Sequence, residues 1–543
     1  MADAQSYNLV EEPWIRVRYK GGGEAELSLF DVFRQASAIE RLSNDLPTQD
    51  FAIMRILLAV LQRACLLVVE EDADPADTWF DFWGSGLPLE AIEQYLSQWK
   101  HRFDLFDEKE PFMQVAGMHT AKNEASKISK IIADIPDGKP FFTLRTGKEA
   151  EIITYSEAAR WLVHAHAFDV AGIKSGVVGD PHAKSGKSYS TGYPGWAGCL
   201  GGVYIAENTL EKTLLANLIL WDSEPESDRI VSSADAPVWE REPLRAGDEN
   251  RLPKGRADVF TWQSRRALLE HDGHSVVGVL LTNGSKLEPY KVLGIEPMTT
   301  WRRSKNKEKQ LGVKPVYLPA THTSDRLFWQ SLTSVLAMAE DPGVDFRSSE
   351  IVDWIAYLKE CRVFPRNHAI NMHATGIEYG TQNSVISALI DDELLVNTFL
   401  IGAEGQEART LINQVLKNSD EAAFALGMFD QSLRIAAGDD GRKTEPRRQV
   451  QKMAYYELDA LFRSWVAQLS EGADLGAAEL AWNKDAHSLF MRLGDDLVRN
   501  ANPRSMAGHN GMTTGKAESI FRYKLNQLFS QGLAKEVGDD GNH

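Results

Sequence analysis

The sequence predicts an α+β protein: a large, irregular, mixed N-terminal domain over residues 1–385, then a C-terminal antiparallel four-helix bundle over 386–543. Three observations predict it. At 543 residues the chain is too long for one hydrophobic core, since single domains rarely exceed about 250–300 residues. Its first two-thirds alternates short strand-like runs, helices and long loops. Beyond residue 400 it reads as long amphipathic helices joined by short turns, the pattern of a bundle.

Taken in order, WIRVRY at 14–19 alternates apolar and polar residues like a half-buried strand. FAIMRILLAVLQRACLLVVE at 51–70 is the most apolar segment, and Asp50 is placed to cap it as a helix. Arg55, Gln62 and Arg63 interrupt it too often for a membrane span of about 20 apolar residues, so a buried helix is expected. Ser156 is positioned to start a helix with Trp161, Leu162, Ala165 and Phe168 on one face. VYIA at 203–206 reads as a strand, and Asn208 with Glu211 as a capping box for the helix after it. Four helices follow late in the chain, over about 404–437, from Thr444 with Pro446 in the first turn, about 474–500, and about 514–530. The second carries Tyr455, Leu458, Leu461, Phe462, Trp465, Val466 and Leu469 at three- and four-residue steps.

The N-terminal stretch has no basic region followed by an apolar run, so no signal peptide is expected. Cys65, Cys199 and Cys361 are far apart and form no CxxC, which argues for a reducing cytoplasm and against a cysteine-rich zinc site. The net charge of −18 makes the chain a poor candidate for binding DNA alone, because phosphate contacts supply most of the affinity of a nucleic-acid binder. Binding through local basic loops, or as one subunit of a larger assembly, remains compatible with it.

DPHAKSGKSYSTGYPGWAGCLGG at 180–202 contains Gly186-Lys187-Ser188, the tail of a phosphate-binding loop. A true P-loop needs glycine five residues earlier, and position 181 is proline. What survives is a loop whose glycines permit close backbone approach, with Lys184 and Lys187 adding charge. The alternative is an ordinary surface loop. His164 and His166, two apart on a helix, have poor ligand geometry. His271-Asp272-Gly273-His274 resembles a metal-phosphohydrolase dyad without its further ligands, and solvent-exposed histidines are the expectation for both groups. WRRSKNKEK at 301–309 places Arg302, Arg303, Lys305, Lys307 and Lys309 beside Trp301, a local reversal of sign suited to a nucleic-acid strand or to a solvated loop. Trp329 and Gln330 sit at an expected helix start after Ser324 or Asp325, where core packing is the alternative reading of the tryptophan.

NLVEEPWIRVR, LSNDLPTQDFAIMRILLAVLQ, EPFMQVAG, GYPGWAGCLGG, EYGTQNSVIS at 378–387 and the helical C-terminus occur in an order that resembles the CasA family, the large subunit of the type I-E CRISPR Cascade complex. The resemblance covers nearly the whole chain. It implies no enzyme and no cofactor or bound metal, since the cysteine pairs that hold zinc in some members are missing. It implies a subunit that recognises a short flanking motif, the PAM, in double-stranded target DNA from the minor groove. Such a subunit helps open the duplex and recruits a helicase–nuclease, with guide RNA and other Cascade subunits as partners. Residue by residue, it places the family's glycine loop at 183–188 with Gly186 as best match, flanked by Lys184 and Lys187. The lysine finger falls on Lys291, with Lys286 as second choice, and the glutamine wedge on Gln330 beside Trp329. Arg302, Arg303 and Lys305 fall where the family contacts flanking or displaced DNA. Phe141 and Phe142, in PFFTLR, match the loop that docks on guide RNA and the neighbouring subunit. The competing readings are a metal-dependent nuclease or phosphohydrolase, and a scaffold subunit without PAM reading.

Overall fold

The computed structural model describes residues 6–70, 72–135, 143, 151–189, 192–221, 234–247, 251–337, 345–365 and 367–530. Helices and small sheets are mixed along it, and the chain falls into two compact units. The first comprises 1–324, 337–364 and 371–393; the second comprises 325–336, 365–370 and 394–543. The division expected at 385/386 falls at the start of a strand, Ile386–Asn397. Helical periodicity marks where the long helices begin, and neither this strand nor the inserted segment 325–336 carries that signal.

The first unit is built round the Pro47–Cys65 helix, buried on all sides from Phe51 to Gln62. The three polar residues that break its apolar run each meet an acceptor. Arg55 donates to both carboxylate oxygens of Glu296 at 2.8 Å. Gln62 reaches Asp235 at 3.1 Å, and Arg63 grips Glu240 with two bonds of 2.8 and 2.7 Å. A long helix can therefore be buried all round because its charges are matched inside, where an unmatched one would be costly.

The motifs of the sequence are knots in this unit. Gln114 of EPFMQVAG is buried, donates to the Leu105 carbonyl at 2.8 Å and accepts from the Leu269 amide at 2.7 Å. It ties a loop to the strand Arg265–His271. His166 hydrogen-bonds the Met113 carbonyl at 2.8 Å, and His164 bonds Thr48 at 2.9 Å. Both histidines, expected in solvent, are in the core, within the packing of the Tyr155–Phe168 helix; each is held through its Nε2, and the Nδ1 of His166 is buried without a partner among the described residues. Gly195 of GYPGW packs on Ala167 so closely that a Cβ would lie 2.4 Å from its carbonyl carbon. In EYGTQNSVIS, Gln382 and Asn383 take positive φ in the turn between the strands Ala369–Tyr379 and Ile386–Asn397. The former strand pairs with Gly202–Ala206.

Helix starts differ from expectation by up to four residues. The central helix begins at Pro47 after Leu46; Asp50 instead accepts from the Asn44 backbone and side chain at 2.8 and 2.7 Å. Thr154 caps the helix expected from Ser156, and Thr209 replaces Asn208 as the cap of its helix. Thr444 precedes Glu445–Val466 without a side-chain cap bond. No helix starts at Ser324 or Asp325; a 3-10 turn forms over Phe328–Ser331.

In the second unit the helices Gln406–Ala436, Glu445–Val466, Leu475–Arg499 and Thr514–Leu528 pack on one another. Neighbours run antiparallel. Asp420 meets Tyr455 while Met428 meets Arg447, and Glu421 meets Lys524 while Phe429 stacks on Phe521 at 4.8 Å. Buried Leu426, Leu458, Phe462, Trp482, Phe490 and Leu525 fill the space between them.

Two predictions follow from the core. Glu296→Ala leaves the Arg55 guanidinium buried without its carboxylate and lowers unfolding free energy by about 3–5 kcal/mol, read by denaturant titration. Arg55→Met with Glu296→Leu should cost less than Glu296→Ala alone. The second concerns pH. Burial pushes His164 down to about 3 and His166 down to about 4. Unfolded, each titrates at about 6.5. Between about 6.5 and 4 the unfolded chain therefore binds protons that the folded one does not, and stability falls as pH falls. Asp50 and Asp353, pushed up to about 6 by burial, work in the opposite sense. Comparison of His166→Gln with the parent isolates the histidine: the parent loses more stability between pH 6.5 and 4.5, with a slope steeper by about one proton.

Candidate nucleic-acid interface

Residues 183–188 form a hairpin. The strands Ala183–Lys184 and Lys187–Ser188 pair, joined by Ser185-Gly186. Both turn residues have positive φ, 53° and 73°, the conformation of a type I′ turn, where glycine is favoured. A Cβ on Gly186 would meet nothing within 4 Å, so its α-carbon faces solvent, while its carbonyl accepts from the Gly176 amide at 2.9 Å. Lys184 and Lys187 face each other directly across the ribbon. Like charges so placed repel, and an anion between them removes the repulsion.

The base of this hairpin is held firmly. Lys187–Ser188 pairs on its other side with Lys174–Ser175. A Cβ on Gly176 would lie 2.6 Å from the Lys187 nitrogen, so glycine is sterically required there. Lys174 meets the buried Asp169 carboxylate at 2.7 Å, and Arg265 bonds the same carboxylate. Burial opposes ionisation of Asp169, yet Lys174 and Arg265 outweigh it and hold the carboxyl below its usual range.

Asn283, at the end of the strand Val276–Asn283, donates to the Ser188 and Tyr189 carbonyls at 3.2 and 3.1 Å. The chain leaves this point into Lys286–Lys291, so the lysine-finger candidates emerge beside the hairpin. There they join a basic and aromatic cluster. Lys286 lies over the Tyr193 ring at 5.2 Å, and Lys307 and Lys291 over Tyr290 at 4.8 and 5.7 Å. Glu288 sits among them, 3.2 Å from Lys291, 3.5 Å from Lys286 and 2.6 Å from the Tyr290 hydroxyl. The Tyr290 hydroxyl and Lys291 hold the Glu288 carboxyl down at about 2. Tyr193, Tyr290 and Glu288 were missed as site residues in the sequence. KLEPYK at 286–291 interleaves charge with an aromatic and is a signal for Glu288 and Tyr290, but it contains nothing that points to Tyr193.

The remaining candidates divide. Arg302 is exposed on the strand Trp301–Arg303, whereas Arg303 donates to Glu308 at 2.6 Å. Lys305 is exposed at the start of the short helix Lys305–Leu311. Trp329 and Gln330 belong to the second unit. Trp329 is 1 % exposed and stacks on Phe462 at 4.7 Å, so it presents no face to a ligand in this conformation. Gln330 is also buried, its side-chain oxygen accepting from the Leu327 amide at 2.9 Å. Phe141 and Phe142 lie outside the described residues. At His271–His274, Asp272 accepts from the His274 and Ser275 amides at 2.9 and 2.8 Å, so its carboxylate closes a turn.

Residues 8–493 match the family model described as CRISPR-associated protein Cse1. The chain belongs to the Cse1 family. The Cse1 structure from Thermobifida fusca is 37% identical, superposes with a TM-score of 0.88, and is covered over 97% of this chain and 99% of that one. Cse1 from Acidimicrobium ferrooxidans gives 25% identity and a TM-score of 0.80 over 97% and 99%. A curated CasA/Cse1 from Thermus thermophilus is 31% identical over 351 residues, 62% of this chain and 61% of that relative. The likeness to CasA seen in the motifs is thus confirmed, and this Cse1-family chain carries its motif residues chiefly inside the fold.

The two arginines are predicted to behave differently. Arg302→Ala flattens the salt dependence of DNA binding by about one unit and leaves the fold intact. Arg303→Ala lowers the thermal unfolding midpoint, because Glu308 loses its cation. Salt titrations and melting curves of the two variants separate these outcomes.

Proposed function

We propose that this chain is the large, non-catalytic subunit of an RNA-guided DNA-surveillance complex, and that it reads the PAM of double-stranded target DNA through the minor groove. In that role it helps open the duplex and recruits the helicase–nuclease, with guide RNA and the other Cascade subunits as partners in the cytoplasm. Family membership supports the reading, and solved structures sharing this fold include one titled CRISPR RNA-guided surveillance complex, at 17% identity and a TM-score of 0.68.

The observation that carries it is the hairpin with Gly186 at its tip, two lysines across it, and the Lys286–Lys291 segment hung on its base through Asn283. A minor groove is only about 6 Å wide, so close approach falls to the Ser185-Gly186 turn itself, where Gly186 brings no side chain. The groove floor offers acceptors from A·T pairs, which suit lysine donors, and its pattern is degenerate, so several PAMs are tolerated. Gln330 acts as wedge by releasing its bond to Leu327. That exchange costs only about 1 kcal/mol, against unstacking of a few kcal/mol per step. Trp329 remains the packed base on which Gln330 turns.

The test is duplex binding by a reconstituted Cascade backbone with and without this chain, on permissive and scrambled PAMs. PAM preference appears only with the chain present. Gly186→Asp, which keeps a side chain tolerant of positive φ, removes that preference by about 100-fold or more. Gly186→Asn, neutral and of the same shape, loses preference through bulk alone. A complex that assembles with Gly186→Asp and retains normal preference refutes the assignment.

A further inference from the structure

We propose that Glu288 is a specificity-determining residue: a built-in counter-ion that occupies Lys286 and Lys291 until a groove of the right shape takes them over. The inference rests on the reading of Lys291 as a groove-contacting lysine. It goes beyond that reading by assigning a role to an acidic side chain at the centre of a basic cluster.

The geometry points to it in three ways. Glu288 is shared: its two carboxylate oxygens face Lys286 at 3.5 Å and Lys291 at 3.2 Å, and Tyr290 donates to it at 2.6 Å. It is also fixed. Its carbonyl accepts from the Lys291 amide at 2.9 Å, which closes the 3-10 turn Pro289–Lys291 and keeps acid and lysine on one short loop. Finally, the three side chains are all partly exposed, at 31%, 32% and 43% for Glu288, Lys286 and Lys291. An ion pair this exposed is weak and exchanges readily, so it does not lock the lysines away.

The consequence is discrimination by repulsion. A phosphate that approaches the lysines alone also meets the Glu288 carboxylate at similar range, and gains little. In a minor groove entered by the hairpin, Lys291 swings towards base acceptors and leaves Glu288 to Tyr290 and Lys286. Non-specific contact is penalised more than specific contact, which is how a binding site rejects a wrong partner.

The experiment uses the full chain in the reconstituted complex, with permissive-PAM and scrambled-PAM duplexes over a range of salt. Glu288→Gln should raise affinity for the scrambled duplex about five- to tenfold, the size expected for removing one nearby unit charge near a protein surface. It should raise affinity for the permissive duplex by less, and steepen the scrambled-duplex salt slope by about one unit. In a Lys286→Ala/Lys291→Ala background the same change should gain about twofold or less, because its targets are gone. No gain from Glu288→Gln, or an equal gain in both backgrounds, overturns the proposal. Lys291→Ala alone separates the two ideas. If it removes PAM preference while Glu288→Gln changes nothing, only the counter-ion role fails. If it leaves PAM preference intact, the lysine assignment and the role built on it fail together.

Discussion

The buried pair of Arg55 and Glu296 is the constraint on which the first unit depends. Glu296 accepts two bonds from Arg55, one from the Trp196 indole at 2.7 Å and one from the Met298 amide at 3.2 Å. A single carboxylate thus fixes the central helix, the glycine-rich segment and the stretch leading to Trp301. Met298 in turn accepts from the Val203 amide at 3.0 Å, which sets the strand Gly202–Ala206. Such a pair contributes little net stability over an apolar equivalent, but any arrangement that separates its partners is heavily penalised. It specifies one packing of these segments.

The hairpin at 183–188 follows the same logic on a smaller scale. A Cβ on Gly186 would meet nothing at the tip, while the Gly186 carbonyl accepts from the Gly176 amide at 2.9 Å and the base rests on Asp169, Lys174, Arg265 and Asn283. In the proposed groove-entering role the loop must expose its turn and still be held in one geometry. Burying the ion pairs below the turn achieves the second without compromising the first. The lysine segment is hung from Asn283 and the arginine strand from the Glu296–Trp301 stretch, so charged groups far apart in sequence are referred to one frame.

What the sequence revealed reflects what kind of physics leaves a periodic trace. The four late helices were legible to within about two residues, because each buries one stripe and Gly438 or Asn502-Pro503 stops the pattern. Caps were less legible: Thr154, Thr209 and Leu46 differ from Ser156, Asn208 and Asp50 by a shift of a few residues that composition does not decide. The histidines were misjudged, since spacing argues against a metal site but says nothing about burial beside Thr48 and Met113. Trp329 shows the opposite difficulty. A lone aromatic near a polar turn reads equally as a stacking platform or a packed ring, and only its seat on Phe462 decides. Lys291 and Gly186 were reached through resemblance, but Glu288, Tyr193 and Tyr290 needed the fold. No local pattern announces that a carboxylate two residues after one lysine and three before another will face both.

The net charge of −18 belongs to the same picture. Charges beyond about 8–10 Å of a contact are largely screened at physiological salt, so the acidic body neither prevents nor supplies a local contact at Lys184, Lys187 and Lys291. It does deny the chain a general affinity for phosphate. In the proposed PAM-reading role this is an advantage, because non-specific affinity grows with every cation added, whereas groove fit does not. On that proposal, strong binding would be left to base pairing and to basic partners, and the acidic chain with its cationic hairpin would contribute selection. Glu288 carries that division down to single side chains: at the tip, as over the whole molecule, negative charge sets the level against which a correct contact must compete.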